Sequence, residues 1–332
     1  VSADTFLAGV RGSLAAVDDD RTLRRAIIEQ VRRSIPFDAF AWLLTDPDTT
    51  VGTAPLAEVP CLDQLPRLIA LRYTAARRWT SADDGVPYRP VPAGSELERF
   101  LAGYGVSDVV SVVFKDRFGW WGFLDLWRIG ARFTAEEISL LGLLTDPVTA
   151  ALRRCRSVMF GPVAGADRTS GHAVLLLAPD LTVRTQTAEA EAELRALLPT
   201  AATRRPVPAA AYNVAAQLLA LEAGVDTHRP VALTAVAPGE WICVQAERLG
   251  EDIAVTIGPV EQRQRWDLFC RTNGLTARER DVLVYLAEGD DTRTLASRLY
   301  LSEHTIQDHL KSIFTKTHVR SRRELLALAR GG

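Results

Sequence analysis

The chain has 332 residues, 47% of them hydrophobic and 24% charged, with a net charge of −2. This is the balance of a water-soluble globular chain of two or three domains. It excludes a disordered polyelectrolyte, a disulfide scaffold and a chain that is basic throughout, so any surface meant for nucleic acid must be local.

Cys61, Cys155, Cys243 and Cys270 stand far apart, with no CxxC or Cys/His metal pattern, and read as buried free thiols. No apolar run approaches the ~20 residues that a spanning helix needs. The first residues, Val1-Ser2-Ala3-Asp4, carry no basic n-region. A cytoplasmic protein without membrane contact is the expectation.

In chain order, the first predicted element is a helix over 21–34, apolar at Leu23, Ile27, Ile28 and Val31, with Asp18, Asp19 and Asp20 at its positive end. A strand follows at 37–45, helices at 62–76 and 96–103, then strands at 108–115 and 121–128 joined by a turn at 116–119. Thr134 and Glu137 have the spacing of a capping box, opening a helix that runs to about 154. This order is α+β. A phosphorylated receiver domain, with Asp46 as acceptor and Lys115 as its lysine, does not fit. Residues 11–15 are not a buried β-branched strand, and the βα alternation of a doubly wound sheet is missing.

The Gly-rich stretch 161–171 reads as a linker. Beyond it, strands are predicted at 172–177 and 182–187, helices at 188–198 and 209–224, and strands at 230–237, 240–249 and 252–257. A helix over 261–271 leads to the C-terminal segment.

There Thr276 and Glu279 form a second capping box, Val282, Leu283 and Leu286 recur at helical spacing, and Gly289 ends the helix. A short helix carries Leu295, Ala296 and Leu299. Ser302 caps a third helix, with Ile306, Leu310, Ile313 and Phe314 facing inward and Thr305, Gln307, Asp308, Lys311 and Ser312 on its other faces. Ser321 caps a fourth, apolar at Leu325, Leu326 and Leu328.

These four helices resemble the LuxR-type (FixJ/NarL-type) helix-turn-helix domain, over roughly residues 270–330. The resemblance implies double-stranded DNA as partner, with the third helix in the major groove. By position, Gln307, Asp308 and Lys311 would face base edges, and Thr305, Lys316 and Arg320 would lie near phosphates. Gln can read adenine, Lys can reach guanine and Asp can accept from cytosine. Two departures stand out. The family often has Lys where this chain has Gln307 and an uncharged residue where it has Asp308. It often has Gly where this chain has His318.

The Gly119-Trp120-Trp121-Gly122-Phe123-Leu124-Asp125-Leu126 strand and the following Phe133-Thr134-Ala135-Glu136-Glu137 resemble a GAF domain. The hairpin, helices and three-strand meander of the middle region resemble a PAS domain, with a second GAF-like α+β module as the alternative. The expected organisation is therefore multidomain: an α+β GAF-like sensory or dimerisation domain at 1–157, a linker at 158–171, an α+β PAS-like domain at 172–260, a connecting helix at 261–271 and an all-α four-helix DNA-binding domain at 272–332.

Such bodies hold small-molecule effectors, but a fold does not name one. Haem is not expected, since the first module has no His, and His172 and His228 read as surface or satisfied core residues. Trp42, Trp121 and Trp127 are the candidates for an aromatic pocket, against the alternative of ordinary core packing. Trp120 and Trp121 are adjacent, so on a strand they point to opposite faces. No nucleophile elbow, phosphate loop or paired metal ligands appear, so neither enzyme activity, a metal nor a cofactor is expected. The expected function is a sequence-specific, homodimeric transcription regulator, with Leu325 and Leu328 contributing to the dimer. The alternative is a ligand- or protein-binding module whose helical end contacts a protein instead of DNA.

Overall fold

The computed structural model describes residues 2–14, 19–83, 85–161, 173–196 and 209–330. Most of the expected linker at 158–171, together with Asp18 and His172, lies outside the described residues. The chain forms two compact units. The first comprises Val1–Leu152, Asp167–Val236 and Trp241–Pro259; the second comprises Arg153–Ala166, Ala237–Glu240 and Val260–Gly332.

The first unit is an α+β body. Helices α1 (Ala3–Leu14) and α2 (Asp20–Ser34) precede strands β1 (Ala39–Thr45) and β2 (Gly52–Glu58). Helices α3 (Leu65–Thr74) and α4 (Glu96–Ala102) lead to the long hairpin β3 (Val106–Asp116) and β4 (Gly119–Ile129). Helices α5 (Ala135–Gly142) and α6 (Thr145–Val158) follow, and α6 from Arg153 on is counted with the second unit. The four strands form an antiparallel sheet in the order β2-β1-β4-β3. An all-antiparallel sheet does not contain the parallel βαβ crossovers of a receiver domain. The buried Asp46 instead closes a turn, accepting from the backbone N–H of Asp48 and Thr49.

A second sheet contains β5 (Ala173–Leu177), β6 (Val183–Gln186), β7 (Val231–Ala237), β8 (Glu240–Leu249) and β9 (Asp252–Pro259), in the order β6-β5-β9-β8-β7. Between β6 and β7 run α7 (Ala188–Ala196) and α8 (Ala209–Glu222). Most of α8 is buried, from Ala210 to Leu218 without a break. A helix that is apolar all round belongs in a core, and α8 packs on α3, β2 and β9. One apolar cluster accordingly joins Tyr73, Trp79, Val113 and Phe123 to Leu175, Val214, Val244 and Val255. Polar contacts cross the same boundary. Asp46 accepts from Leu233 N–H at 2.9 Å, and Thr49 Oγ1 donates to Val231 O. Arg78, 1% exposed, donates to Gln217 at 2.7 Å and faces Asp226 at 3.3 Å.

Three local findings refine the expected elements. Helix α1 was not foreseen, because two glycines interrupt it, yet Phe6, Val10 and Leu14 recur every fourth residue and are buried. Strand β2 was hidden by Gly52 and Pro55; it is an edge strand, where Pro is tolerated. The helix expected from 134 to 154 is two helices, parted at Leu143 and Leu144, whose N–H groups make tighter i→i−3 bonds.

The second unit is helical over its C-terminal part: α9 (Gln262–Thr272), α10 (Ala277–Ala287), α11 (Thr292–Leu299), α12 (Glu303–Thr317) and α13 (Arg322–Arg330). Among the described residues, no helix is long and apolar enough to cross a membrane.

Candidate nucleic-acid interface and body cavity

Helices α10 to α13 are fixed by their ends. Thr276 and Glu279 make both hydrogen bonds of the capping box, at 3.3 and 2.7 Å. Asp291 caps α11 through Thr294 N–H, Ser302 caps α12 through Thr305 N–H, and Ser321 bonds Glu324 N–H at the start of α13. Two helices end on non-glycine residues in the left-handed region, Tyr300 at φ 55 and His318 at φ 56. That conformation explains why glycine is the favoured residue where this chain has His318. Val282, Leu283, Leu295, Ile306, Leu310 and Ile313 fill the small core between the helices.

Glu279 does more than cap. Its carboxylate also accepts from Lys316 Nζ, at 2.8 and 2.6 Å, and from Ser312 Oγ at 2.5 Å. The start of α10 is thereby tied to the far half of α12. Burial opposes ionisation of Glu279, but the bonds from Lys316, Ser312 and Thr276 outweigh it and hold the carboxyl down to about 2.

The outer face of α12 carries Gln307, Asp308 and Lys311, all exposed. Positions three and four apart share one helix face, so these side chains form a single stripe. Asp308 lies 3.6 Å from His304 and 3.9 Å from Lys311, contacts of the exposed kind that contribute little to stability. Thr305 sits in the first turn, half-buried, sharing a hydrogen bond with Ser302. Arg320 follows the last turn and is exposed. The 15 residues of α12 separate these two by about 20 Å along the axis. Lys316 differs from the other five, because its ammonium is engaged by Glu279.

The apolar face of α13 is covered within the unit. Leu325 is fully buried and Leu328 half-buried, α13 packs on α9, and the buried Arg265 donates to Leu328 O and Gly239 O. The Leu325 side chain, expected at a dimer contact, is therefore already used inside the protomer. Cys270 on α9 is enclosed, and burial pushes its thiol up to about 12. All four cysteines are buried, and none forms a disulfide.

A separate feature lies inside the first unit. An apolar cavity of about 280 Å³ is bounded by β1, β2, β4 and α3 on one side and by α8 and β7 on the other. Ala41, Leu43, Phe123 and Trp127 line it, with Leu68, Ile69 and Ala210. Of the three tryptophans expected at an aromatic pocket, Trp127 is there. Trp42 is fully buried on the opposite face of the sheet, stacked on Phe114 at 5.2 Å. Trp121 is buried beside a register shift in the β3–β4 hairpin and donates to Asp116. Trp120 projects elsewhere, edge-on to His228.

The cavity is not wholly apolar. Arg72 and Asp125 line it as a closed pair, Nε to Oδ2 at 2.9 Å and Nη2 to Oδ1 at 3.3 Å. Burial works against the charge of Arg72, but Asp125 outweighs it and raises the guanidinium above the ordinary arginine range. Asn213 on α8 donates to Gly52 O at 2.8 Å. Two buried polar atoms of lining side chains lack a hydrogen-bond partner: Trp127 Nε1 and Asn213 Oδ1. Asn213 was missed in the sequence, although Asn213 and Gln217, one turn apart in an otherwise apolar helix, were a visible signal.

Residues 273–329 match the family model described as bacterial regulatory proteins, luxR family. Over 53 residues the chain is 40% identical to the monoamine regulon transcriptional regulator of Klebsiella aerogenes, a match that spans 16% of this chain and 23% of that protein. Among solved structures, SdiA in complex with octanoyl-rac-glycerol is 13% identical with a TM-score of 0.36, covering 98% of this chain and 96% of that one. A crystal structure of Escherichia coli SdiA is also 13% identical, with a TM-score of 0.32 over 99% and 96% of the two chains. That level of likeness fixes neither a shared fold nor a shared ligand. The C-terminal helices form a LuxR-type helix-turn-helix domain.

Proposed function

We propose that this protein is a sequence-specific DNA-binding transcription regulator, acting in the cytoplasm without catalysis, in which α12 enters the major groove. The observation that carries this reading is the exposed stripe Gln307, Asp308 and Lys311 on the third helix of a LuxR-type domain. In this reading these three side chains meet base edges, while Thr305 and Arg320 meet phosphates at the two ends of the helix. Lys316 contributes to phosphate binding from within its pair with Glu279. Asp308 costs non-specific affinity, which a contact to a cytosine amino group offsets.

The body has the role of sensing a small molecule and of joining two protomers, since one such domain reads only a few base pairs. The proposed organisation keeps a GAF-like domain at 1–157, a linker at 158–171, a PAS-like domain at 172–260, a connecting helix at 261–271 and the DNA-binding domain at 272–332. Selection from a randomised duplex library with the full chain tests this. A recurrent motif with two related half-sites is the expected result. Failure to enrich any motif, with retention of a protein partner instead, would overturn it.

A further inference from the structure

We infer that His304 is a fourth base-reading residue and that, side by side with Asp308, it recognises one G·C base pair. The inference deepens the proposed DNA reading by α12 and rests on that reading. Successive helical residues turn by about 100°, so positions i, i+3, i+4 and i+7 fall on one face. His304, Gln307, Asp308 and Lys311 have this spacing on α12, which makes His304 the N-terminal member of their stripe. Its side chain is 82% exposed. It stands in the first turn, two residues after the Ser302 cap. In a helix-turn-helix the N-terminal residues of the recognition helix meet the base edges, so His304 stands where those contacts are made.

The pairing with Asp308 decides the base. His304 Nε2 lies 3.6 Å from Asp308 Oδ2. With its proton on Nε2 the imidazole donates, whereas the carboxylate can only accept. The two side chains thus present a donor and an acceptor next to each other. In the major groove guanine O6, an acceptor, and the cytosine N4 amino group, a donor, are also neighbours, about 3 Å apart because they bond to each other. The reversed pairs C·G and A·T exchange donor and acceptor and are rejected. T·A keeps the order but puts its methyl group where guanine offers N7 as a second acceptor. This arrangement gives Asp308 a reason to face DNA, since a carboxylate near phosphates costs affinity unless a base amino group meets it. Lys311, 3.9 Å from Asp308 Oδ1, balances its charge. His304 and Lys311 are seven positions apart, about 10 Å along the axis or about three base-pair steps. The G·C pair should therefore lie at one end of a half-site of about four consecutive base pairs.

Selection from a randomised duplex library, run with the full chain and repeated with His304→Ala, Asp308→Ala and the double variant, tests this. Both side chains are exposed and neither caps the helix, so the variants should melt as the natural protein does. The natural protein should enrich a half-site with a G·C pair at one end. In all three variants that position alone should become indifferent, while the preferences due to Gln307 and Lys311 persist. In competition titrations at fixed salt, exchanging this pair for T·A should cost the natural protein about tenfold in affinity. The same exchange should cost each variant less than about twofold, and the double variant should lose no more discrimination than either single one, because the two side chains act on one base pair. Unchanged preference in His304→Ala would overturn the inference. So would losses at different base pairs in the two single variants, a shared position that prefers T·A, or an equal loss on random duplex. A motif that persists without His304 defeats this assignment and leaves the DNA reading standing, whereas failure of the natural protein to enrich any motif defeats both.

Discussion

The helical unit and the α+β body reach order by different routes. In the helices, Thr276, Asp291, Ser302 and Ser321 each satisfy a backbone N–H three residues on. In the body, the deciding contacts join residues far apart in sequence: Asn213 with Gly52, Arg78 with Gln217 and Leu233 with Asp46. Local contacts are easily formed and easily read, whereas contacts across long separations depend on the whole fold being in place. Among the non-local ties of the helical domain, that of Glu279 with Lys316 and Ser312 joins α10 to α12 through a buried carboxylate, and it is where that domain should be most vulnerable.

The largest expected effect is there. Glu279→Ala removes a capping partner and leaves Lys316 unpaired beside a buried space, which should destabilise the helical domain by about 4 kcal/mol. Hydrogen exchange of α10 and α12 in the full chain measures it; a loss confined to the first turn of α10 would mean that only the cap matters. The same tie gives a pH dependence. The folded value near 2 lies below the ordinary 4.5, so the stabilisation is complete above about 4.5 and is lost as pH falls toward 2. In Glu279→Gln that part of the acid dependence should disappear.

The matching weak point of the body is Gly52. An added methyl would sit 2.5 Å from Leu43, 3.0 Å from Tyr73 and 3.2 Å from Asn213. Gly52→Ala should therefore cost the body about 2 kcal/mol in denaturant unfolding, with no change in exchange from α10 to α12. Equal losses in both regions would erase the distinction between them.

The sequence disclosed these two regions unequally. Caps and helical periodicity span three or four residues, so Thr276, Ser302 and the inward row Ile306, Leu310 and Ile313 were all visible in it. The engagement of Lys316 was not, since its partner lies 37 residues away. Strand parity separated Trp120 from Trp121, but the register shift between Phe114 and Lys115 that sets their final directions leaves no mark in the sequence. Trp127 could be named as a pocket candidate, yet only the packing of α8 against β2 brings Asn213 to the same cavity.

Smaller effects sharpen the assignment within α12. Gln307→Ala and Lys311→Ala should each lose about 1.5 kcal/mol on the preferred duplex and little on a random one. Arg320→Ala should lose affinity for both equally and lower the salt slope by about one. Uniform losses for all three variants, read by fluorescence anisotropy, would remove the division between base and phosphate contacts. The smallest change is a gain. His318→Gly relieves a left-handed residue and should stabilise the helical domain by about 1 kcal/mol; no gain in melting temperature would show that the His318 side chain compensates for its backbone.

Whether α12 reads DNA is decided by a salt titration of the full chain on its selected duplex and on a random duplex. Affinity for both should fall steeply as salt rises, the selected duplex should stay tighter throughout, and Lys311→Ala should close most of the gap between them. Salt-independent binding, or a gap that persists unchanged in Lys311→Ala, would contradict that reading.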